Sequence, residues 1–294
     1  MSNHRPVLLK EVLRYLQPKH GESYLDVTAG YGGHTEAVLA KTDSPLKAVL
    51  FDRDAEAIQA LKAGFAKHAV KIIHQDFLTA SRDLASDRRR FDMILADLGV
   101  SSAHFDSGER GFSITHPGPL DMRMDQRQKL TAADIVNSAS EAELRRIFIQ
   151  YGEEPKADRI AKQIVRQRPI TNTAQLAAIA AKSASRRTGR RSIHPATRIF
   201  QSLRIAVNDE LNQLEQSLPI WLELLTPGGR LAVISFHSLE DRIVKQFLAE
   251  HSVENYEGEL RILTKKPIAA SIDEIVSNPR ARSAKLRAAA KINI

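Results

Sequence analysis

The sequence predicts an α/β protein with a mainly parallel sheet and a helical insertion between the fourth and fifth strands. Three observations support this fold class. Over about the first hundred residues, short apolar runs alternate with helical segments, which is typical of sheets built from right-handed crossovers. A glycine-rich turn follows the first apolar run. A strand and a helix resume near residue 227, after a long helical stretch.

The first four strands are predicted from runs rich in β-branched and aromatic residues. They are SYLDV (23–27), KAVLF (47–51), VKIIH (70–74) and FDMILADLGV (91–100). One helix is predicted from about His34 and another through Ala57, Ile58 and Leu61. In such an open sheet, ligands bind at the carboxyl ends of the strands.

From about His104 the pattern changes to a glycine-rich loop followed by helices. These helices are predicted near 131–139, 140–151, 155–167 and 173–184, the second with a capping box at Ser140 and Glu143. A long helix is predicted from Pro195 toward Leu225, with a kink at Pro219. We therefore expect a core of residues 1–103 and 207–294, with residues 104–206 as a helical insertion that recognises the substrate.

After the insertion, PGGRLAVISF (227–236) predicts the fifth strand, and a helix starts near Ser238. Two tail segments, Leu260–Lys265 and Ser283–Ile292, could supply two closing strands. The second is rich in alanine and would be helical on propensity alone.

Composition excludes several classes of protein. The 294 residues include no cysteine, which excludes disulfides, thiolate metal ligands and cysteine nucleophiles. No apolar run approaches the roughly 20 residues needed to span a bilayer, and no signal peptide is recognisable. No His/Asp spacing indicates a metal site. We expect a soluble cytoplasmic protein without a membrane partner or a metal.

Positive charge is concentrated in the insertion. The chain has a net charge of +8, and residues 155–205 hold nine arginines and three lysines against one acid, Asp158. A solvated face would explain such a run, but an excess of arginine also suits phosphate binding, because the guanidinium fork matches phosphate oxygens. The charge pattern therefore favours a nucleic-acid partner.

The turn Gly30-Tyr31-Gly32-Gly33-His34 is the strongest indication of a ligand. Gly30, Gly32 and Gly33 allow backbone N–H groups to approach a nucleotide closely. A dinucleotide fingerprint would need another glycine where Thr35 stands. Asp26, in the preceding strand, would repel a pyrophosphate but suits a sulfonium and an ammonium group. These features favour S-adenosylmethionine over NAD.

Two acids end strands near this turn. Asp52 ends the second strand, where an acid accepts hydrogen bonds from ribose hydroxyls. A helix N-cap is its alternative role, although Asp54 could fill that role equally. Asp97 ends the fourth strand, either as a loop cap or as a functional carboxylate. Phe77, after the third strand, is placed either to cover a purine or to fill the core.

Other candidates lie farther along the chain. In the segment 119–125, an extended backbone would place Asp121, Arg123 and Asp125 on one side and both methionines on the other. This segment is either a salt-bridged loop or part of the active site. His237 follows the fifth strand, where a lone histidine is more often structural. His34 is better explained as part of the cofactor turn.

Long motifs make the chain similar to the ribosomal RNA small-subunit methyltransferase H family, also called MraW. The resemblance spans essentially the whole chain and includes GYGGH, FDRD, DLGVSS, ERGFS, GPLDMRMD, YGEE, HPATRIFQSLRIAVNDEL, PGGRLAVISFHSLEDRIVK and NPRARSAKLR. It implies a class I S-adenosylmethionine-dependent methyltransferase with a Rossmann-like fold. It also implies methylation of a cytosine N4 in the decoding region of bacterial 16S ribosomal RNA. The cofactor contacts that it implies are Gly32, Gly33, His34, Asp52, Phe77 and Asp97, and His104 replaces a family glutamine.

Cytosine N4 is a poor nucleophile, so such an enzyme must position it and accept an N–H hydrogen bond. Asp97 or a neighbouring backbone carbonyl is the expected acceptor, and Phe112 or His237 the expected stacking partner. Asp121 and Arg123 would belong to the wall of the base pocket. The expected phosphate contacts are Arg186, Arg187, Arg190, Arg191, Arg198 and Arg204. The alternatives are a methylase of another acceptor and a non-catalytic ribosome-assembly factor.

Overall fold

The computed structural model describes residues 6–100, 108–183, 194–252 and 258–292. The chain forms two compact units. Unit 1 comprises Met1–Gly99 and Leu211–Ile294, and unit 2 comprises Val100–Glu210. The insertion expected at 104–206 lies within unit 2. Among the described residues, no helix combines the length and apolar character needed to cross a bilayer.

Unit 1 is built on an eight-stranded sheet. Its strands are β1 (Tyr24–Asp26), β2 (Ala48–Asp52), β3 (Lys71–His74), β4 (Phe91–Asp97), β5 (Leu225–Ser235), β6 (Leu260–Ile262), β7 (Ile268–Ala269) and β8 (Lys285–Lys291). The strand order is β3-β2-β1-β4-β5-β8-β6, and β7 pairs with β8. Strands β1 to β5 run parallel to one another, whereas β8 runs antiparallel to β5, β6 and β7.

Helices cover both faces of this sheet. They are α1 (Leu9–Leu16), α2 (Gly33–Thr42), α3 (Ala55–Gly64) and α4 (Phe77–Ser86) in the first half of the unit. Alternate residues of the central strands enter different apolar clusters, with Leu25 and Ile94 in one and Tyr24 and Met93 in the other. Burial on both faces explains why these strands are almost continuously apolar.

The alanine-rich end of the chain is strand β8, which confirms the prediction of two closing strands, β6 and β8. Helix propensity alone would have given the wrong structure. Five consecutive residues of β8, Leu286 to Ala290, are buried between strand neighbours. Pairing and burial outweigh the few tenths of a kcal/mol per residue that separate helix propensities.

Unit 2 consists mainly of helices around its own apolar core. They are α5 (Ala132–Ser138), α6 (Glu141–Gln150), α7 (Ala157–Arg166), α8 (Thr173–Ser183) and α9 (Thr197–Asn208). The predicted capping box is present, since the Ser140 hydroxyl accepts from the Glu143 N–H and the Glu143 carboxylate from the Ser140 N–H.

The prediction of one long helix from Pro195 toward Leu225 is wrong. Helix α9 ends at Asn208, and Asp209 adopts a left-handed conformation with φ of 50°. A new helix, α10 (Glu210–Leu224), begins directly afterwards and contains Pro219. The helix α11 (Ser238–Glu250) follows β5, and the short α12 (Ile272–Ser277) precedes β8. The break therefore occurs at Asp209, where an aspartate tolerates positive φ.

Candidate active site

The glycine turn connects β1 to α2 at the carboxyl edge of the sheet. Gly30 and Gly32 both have positive φ, 53° and 84°. A Cβ on Gly32 would lie 2.6 Å from a ring carbon of Phe65, so only glycine fits there. A Cβ on Gly33 would lie 3.2 Å from the Pro6 ring. At Gly30 the nearest atom would be 4.0 Å away, which leaves space beside the turn.

Asp52, at the end of β2, holds this turn in place. Its Oδ2 accepts from the Gly30 N–H at 2.8 Å, and its Oδ1 accepts from the Asp54 N–H at 2.9 Å. The cap of α3 is Asp54, which accepts from the Glu56 N–H at 3.1 Å. Burial raises the pKa of Asp52. A carboxylate has about four acceptor positions, so two remain for ligand hydroxyls.

Asp26 ends β1 and is 1% exposed. Its Oδ2 accepts from the Tyr24 hydroxyl and from the Thr35 hydroxyl, both at 2.8 Å, and its Oδ1 from the Thr28 N–H at 3.3 Å. Burial raises the pKa of Asp26 to about 6. Burial, followed by the charge of Asp26, also raises the pKa of Tyr24. The carboxylate is thus a buried negative charge directly before the turn.

His34 and Asp97 face each other at this edge. The distance between His34 Nε2 and Asp97 Oδ2 is 3.5 Å, and the Asp97 N–H donates to the Thr28 hydroxyl at 2.6 Å. His34 is 7% exposed. Neither ring nitrogen of His34 nor Oδ1 of Asp97 has a hydrogen-bond partner in the described parts of the chain. Buried polar atoms usually have hydrogen-bond partners, so these atoms are candidates for ligand contacts.

Phe77 and His237, the residues predicted to stack on the cofactor and on the substrate base, both contact other residues of unit 1. Phe77 is 6% exposed, and its ring contacts Trp221 edge to face at 5.6 Å between centroids. The Arg53 guanidinium lies 5.4 Å from the Phe77 ring centroid. His237 is the N-cap of α11, accepting from the Glu240 N–H at 3.4 Å. Contact of Phe77 with a purine and stacking by His237 remain predictions, while their observed roles are packing and capping.

In unit 2, Arg123 and Asp121 form a two-pronged ion pair with N–O distances of 2.8 and 2.7 Å. Arg123 also donates to the Gln128 carbonyl at 2.8 Å. The predicted extended backbone is wrong at Met122, whose φ is 59° because the loop turns there. Both methionines are nevertheless buried, as the alternation implied. These observations favour the salt-bridged loop for Asp121 and Arg123. The candidate stacking residue Phe112 is also buried, in the core of unit 2.

Two of the predicted phosphate contacts have partners within unit 2. Arg204 pairs with Glu210 at 2.8 and 2.9 Å, and both side chains are buried. Arg198 donates to the Glu153 carbonyl at 2.9 Å. The guanidinium group of Arg204 therefore already binds a carboxylate. This pairing does not favour a contact between Arg204 and RNA. The remaining predicted residues, Arg186, Arg187, Arg190, Arg191 and His104, lie outside the described residues.

Sequence reasoning missed Tyr24, Thr35 and Thr28, whose side chains fix Asp26 and the backbone of Asp97. The signal for Tyr24 was present, because residues two apart on a strand share a face. Thr35 stands in the first turn of α2, where a hydroxyl can reach back to the preceding strand. Only the register of β1 and α2 shows that both hydroxyls reach one carboxylate oxygen.

The fold and this edge together define a class of protein. A parallel sheet of this order, a glycine turn after β1, and acids ending β1, β2 and β4 are the arrangement of class I methyltransferases. The MraW methylase family model matches residues 1–292. The chain therefore belongs to the MraW methylase family, and it is a methyltransferase that uses S-adenosylmethionine.

Three relatives agree with this assignment, and each is named ribosomal RNA small subunit methyltransferase H. The protein of a Cyanothece species is 51% identical over 291 residues, covering 99% of this chain and 95% of the relative. The protein of a Nostoc species is 50% identical, covering 98% and 93%. The protein of Halothermothrix orenii is 44% identical and covers 99% of both chains.

Proposed function

We propose that the enzyme transfers a methyl group to N4 of a cytidine in the decoding region of 16S ribosomal RNA. The named relatives support ribosomal RNA of the small subunit as the substrate, and the family resemblance supports N4. The structural observation that carries the proposal is Asp97 Oδ1 beside the glycine turn, a carboxylate oxygen with no partner among the described residues. We also propose that the enzyme acts in the cytoplasm, which agrees with ribosomal RNA as its substrate.

The described residues fit the cofactor. Asp52 would accept hydrogen bonds from the ribose hydroxyls, since its two remaining acceptor positions are not used by the turn. Asp97, at the rim beside the turn, would lie near the ammonium group of the methionine moiety, and its Oδ1 would be left for the substrate. The glycine turn, open at Gly30, would lie along the nucleoside. Asp26 adds a buried negative charge near a ligand that carries two positive groups.

S-adenosylmethionine supplies a methyl group on a positively charged sulfur, which leaves as a neutral thioether when the methyl moves to nitrogen. The protein must hold the cytosine N4 in line and accept the N–H hydrogen bond that strengthens during transfer. Asp97 is our candidate for this acceptor, because its carboxylate lies at the rim and keeps one oxygen unpaired. A backbone carbonyl beside Asp97 is the alternative acceptor.

Substitution of Asp97 by asparagine tests this role. The variant keeps the shape of the side chain but replaces one acceptor oxygen by a donor. We expect kcat to fall by roughly 10²-fold or more, because the interaction is strongest in the transition state, while RNA affinity changes little. If the rate constant of methyl transfer in single-turnover experiments were unchanged, the backbone carbonyl would be the acceptor of the N4–H hydrogen bond.

The proposal has a direct test in cells. Ribosomal RNA from cells that lack the protein should lose one N4-methylated cytidine of the small subunit. The parent gene should restore it, and the Asp97→Asn gene should restore it poorly. We further propose that the assembled small subunit is the substrate, so subunits should accept methyl groups faster than naked RNA does. An unchanged methylation pattern in the deletion strain would refute the proposed function.

A further inference from the structure

Helix α7 of unit 2 has one apolar face and one strongly basic face. Its buried residues are Ala157, Ile160, Ala161 and Ile164, and the helix packs against α6 and α8. On its other side, Arg159, Lys162 and Arg166 are exposed. At about 100° and 1.5 Å per residue, these three positions lie within about 60° of rotation and span about 10 Å. We call these three residues the basic stripe.

The basic stripe has a cost for the helix that carries it. Like charges three and four residues apart repel each other by about 0.2 to 0.5 kcal/mol per pair. Arg159 also stands in the first turn of α7, where the helix dipole disfavours a cation. The N-cap is Lys156, which makes no side-chain capping hydrogen bond. Helix stability alone does not explain this placement of charge.

The acid within α7 does not compensate the basic stripe. Asp158 forms an ion pair with Arg145 of α6. In the described parts of unit 2, no carboxylate lies within ion-pair distance of Arg159, Lys162 or Arg166. The three positive charges therefore have no counter-charge among the residues that the structure describes.

Many other arginines of unit 2 are engaged in the structure. Arg168 donates to the carbonyls of Val136 and Ala139, and Arg110 donates to those of Arg123 and Met124. The remaining engaged arginines bind carboxylates or a backbone carbonyl: Arg123, Arg127, Arg145, Arg198 and Arg204. The basic stripe differs from all of these because its side chains are both exposed and unpaired.

We infer that the basic stripe of α7 binds the phosphate backbone of the substrate RNA. This inference rests on the proposed function and locates a substrate-binding surface for it. Charge complementarity identifies the partner, since a row of cations on a rigid helix fits consecutive phosphates of a strand. The contacts position the RNA without reading its sequence. The basic stripe does not include the predicted arginines at 186–191, which lie outside the described residues.

The test compares two triple variants of the full chain. The first carries Arg159→Gln, Lys162→Gln and Arg166→Gln, since glutamine keeps helix propensity. The control carries Lys62→Gln, Lys67→Gln and Lys71→Gln, which removes the same charge. These lysines are exposed in unit 1, and Lys71 begins β3 at the sheet edge opposite the cofactor turn. Circular dichroism checks that both variants are folded.

Binding to a full-length small-subunit ribosomal RNA transcript is measured over a range of KCl concentrations. Each neutralised phosphate contributes about 0.7 to 0.9 to the slope of log affinity against log salt. We expect the slope of the stripe variant to decrease by about 2 to 3, and the slope of the control to change little. In methyl transfer, KM for RNA should rise while kcat is kept.

Equal slopes for the parent and the stripe variant would overturn the inference. If that happened while the parent still methylated the RNA, the proposed function would stand and only the location of the surface would be wrong. If the parent transferred no methyl group to any ribosomal RNA, the proposed function itself would fail. A single variant, Lys162→Glu, provides a second measurement and should weaken binding more than Lys162→Gln.

Discussion

Unit 1 should lose stability as the pH rises from about 4 to about 7, because the buried Asp26 must become charged. Replacement of Asp26 by asparagine should remove this loss. Burial raises the pKa of Asp26 from 3.8 to about 6 in the folded protein. Between about pH 4 and pH 6, the folded chain therefore keeps a proton that the unfolded chain has released. Stability from this group is fully present below about pH 4 and is lost as the pH rises through about 6.

The magnitude follows from the pKa difference. The pKa of Asp26 rises from 3.8 to about 6, and each pH unit of difference corresponds to about 1.4 kcal/mol. The free energy of unfolding should therefore fall by about 3 kcal/mol between pH 4 and neutral pH. The Asp26→Asn variant cannot titrate, so its stability relative to the parent should rise by about this amount over the same range. Hydrogen bonds lost to Tyr24 or Thr35 shift the variant equally at every pH and leave this trend intact.

Urea unfolding followed by Trp221 fluorescence measures this effect. Trp221 is the chain's single tryptophan, is fully buried, and lies in unit 1. Its emission therefore reports on the unit that contains Asp26. The difference in unfolding free energy between variant and parent is plotted against pH. A difference that stays constant from pH 4 to pH 7.5 would show that Asp26 titrates alike in the folded and unfolded states, contrary to this prediction.

Three further substitutions and one control have expected outcomes. Asp52→Ala should weaken S-adenosylmethionine binding about 10- to 100-fold in calorimetry, since charge-assisted hydrogen bonds contribute about 1.5 to 3 kcal/mol, and unchanged affinity would exclude Asp52 as the ribose anchor. Gly32→Ala should destabilise unit 1 by about 2 to 4 kcal/mol in urea unfolding, through positive φ and a steric clash. Arg204→Ala should destabilise unit 2 by about 3 to 5 kcal/mol, measured by thermal denaturation, because Glu210 would be left buried and unpaired. Arg198→Ala is the matched control and should cost about 1 kcal/mol.

The parallel sheet was predictable because its signals are local. Alternation of apolar runs with helices, turn glycines, and acids at strand ends are all visible along the chain. The location of Asp52 at the cofactor edge followed from the same pattern. Structure was needed to show that Asp54, and not Asp52, caps α3, since both residues have the right type and position.

Tertiary context decided the features that local sequence patterns left open or described wrongly. The alanine-rich β8 is a strand because β5 and β6 pair with it. The break at Asp209 depends on one residue adopting positive φ, which a helical pattern through Asn208 and Glu210 does not reveal. Arg204 was assigned to RNA because a sequence shows its charge but not its partner, Glu210.

Transfer of a labelled methyl group by the purified protein tests directly whether it methylates cytosine N4 in ribosomal RNA. Assembled small ribosomal subunits are incubated with the protein and labelled S-adenosylmethionine, and the RNA is digested to nucleosides for mass spectrometry. The label is expected in N4-methylcytidine. Label on carbon 5 of cytosine, on a ribose oxygen, or on another base would contradict it.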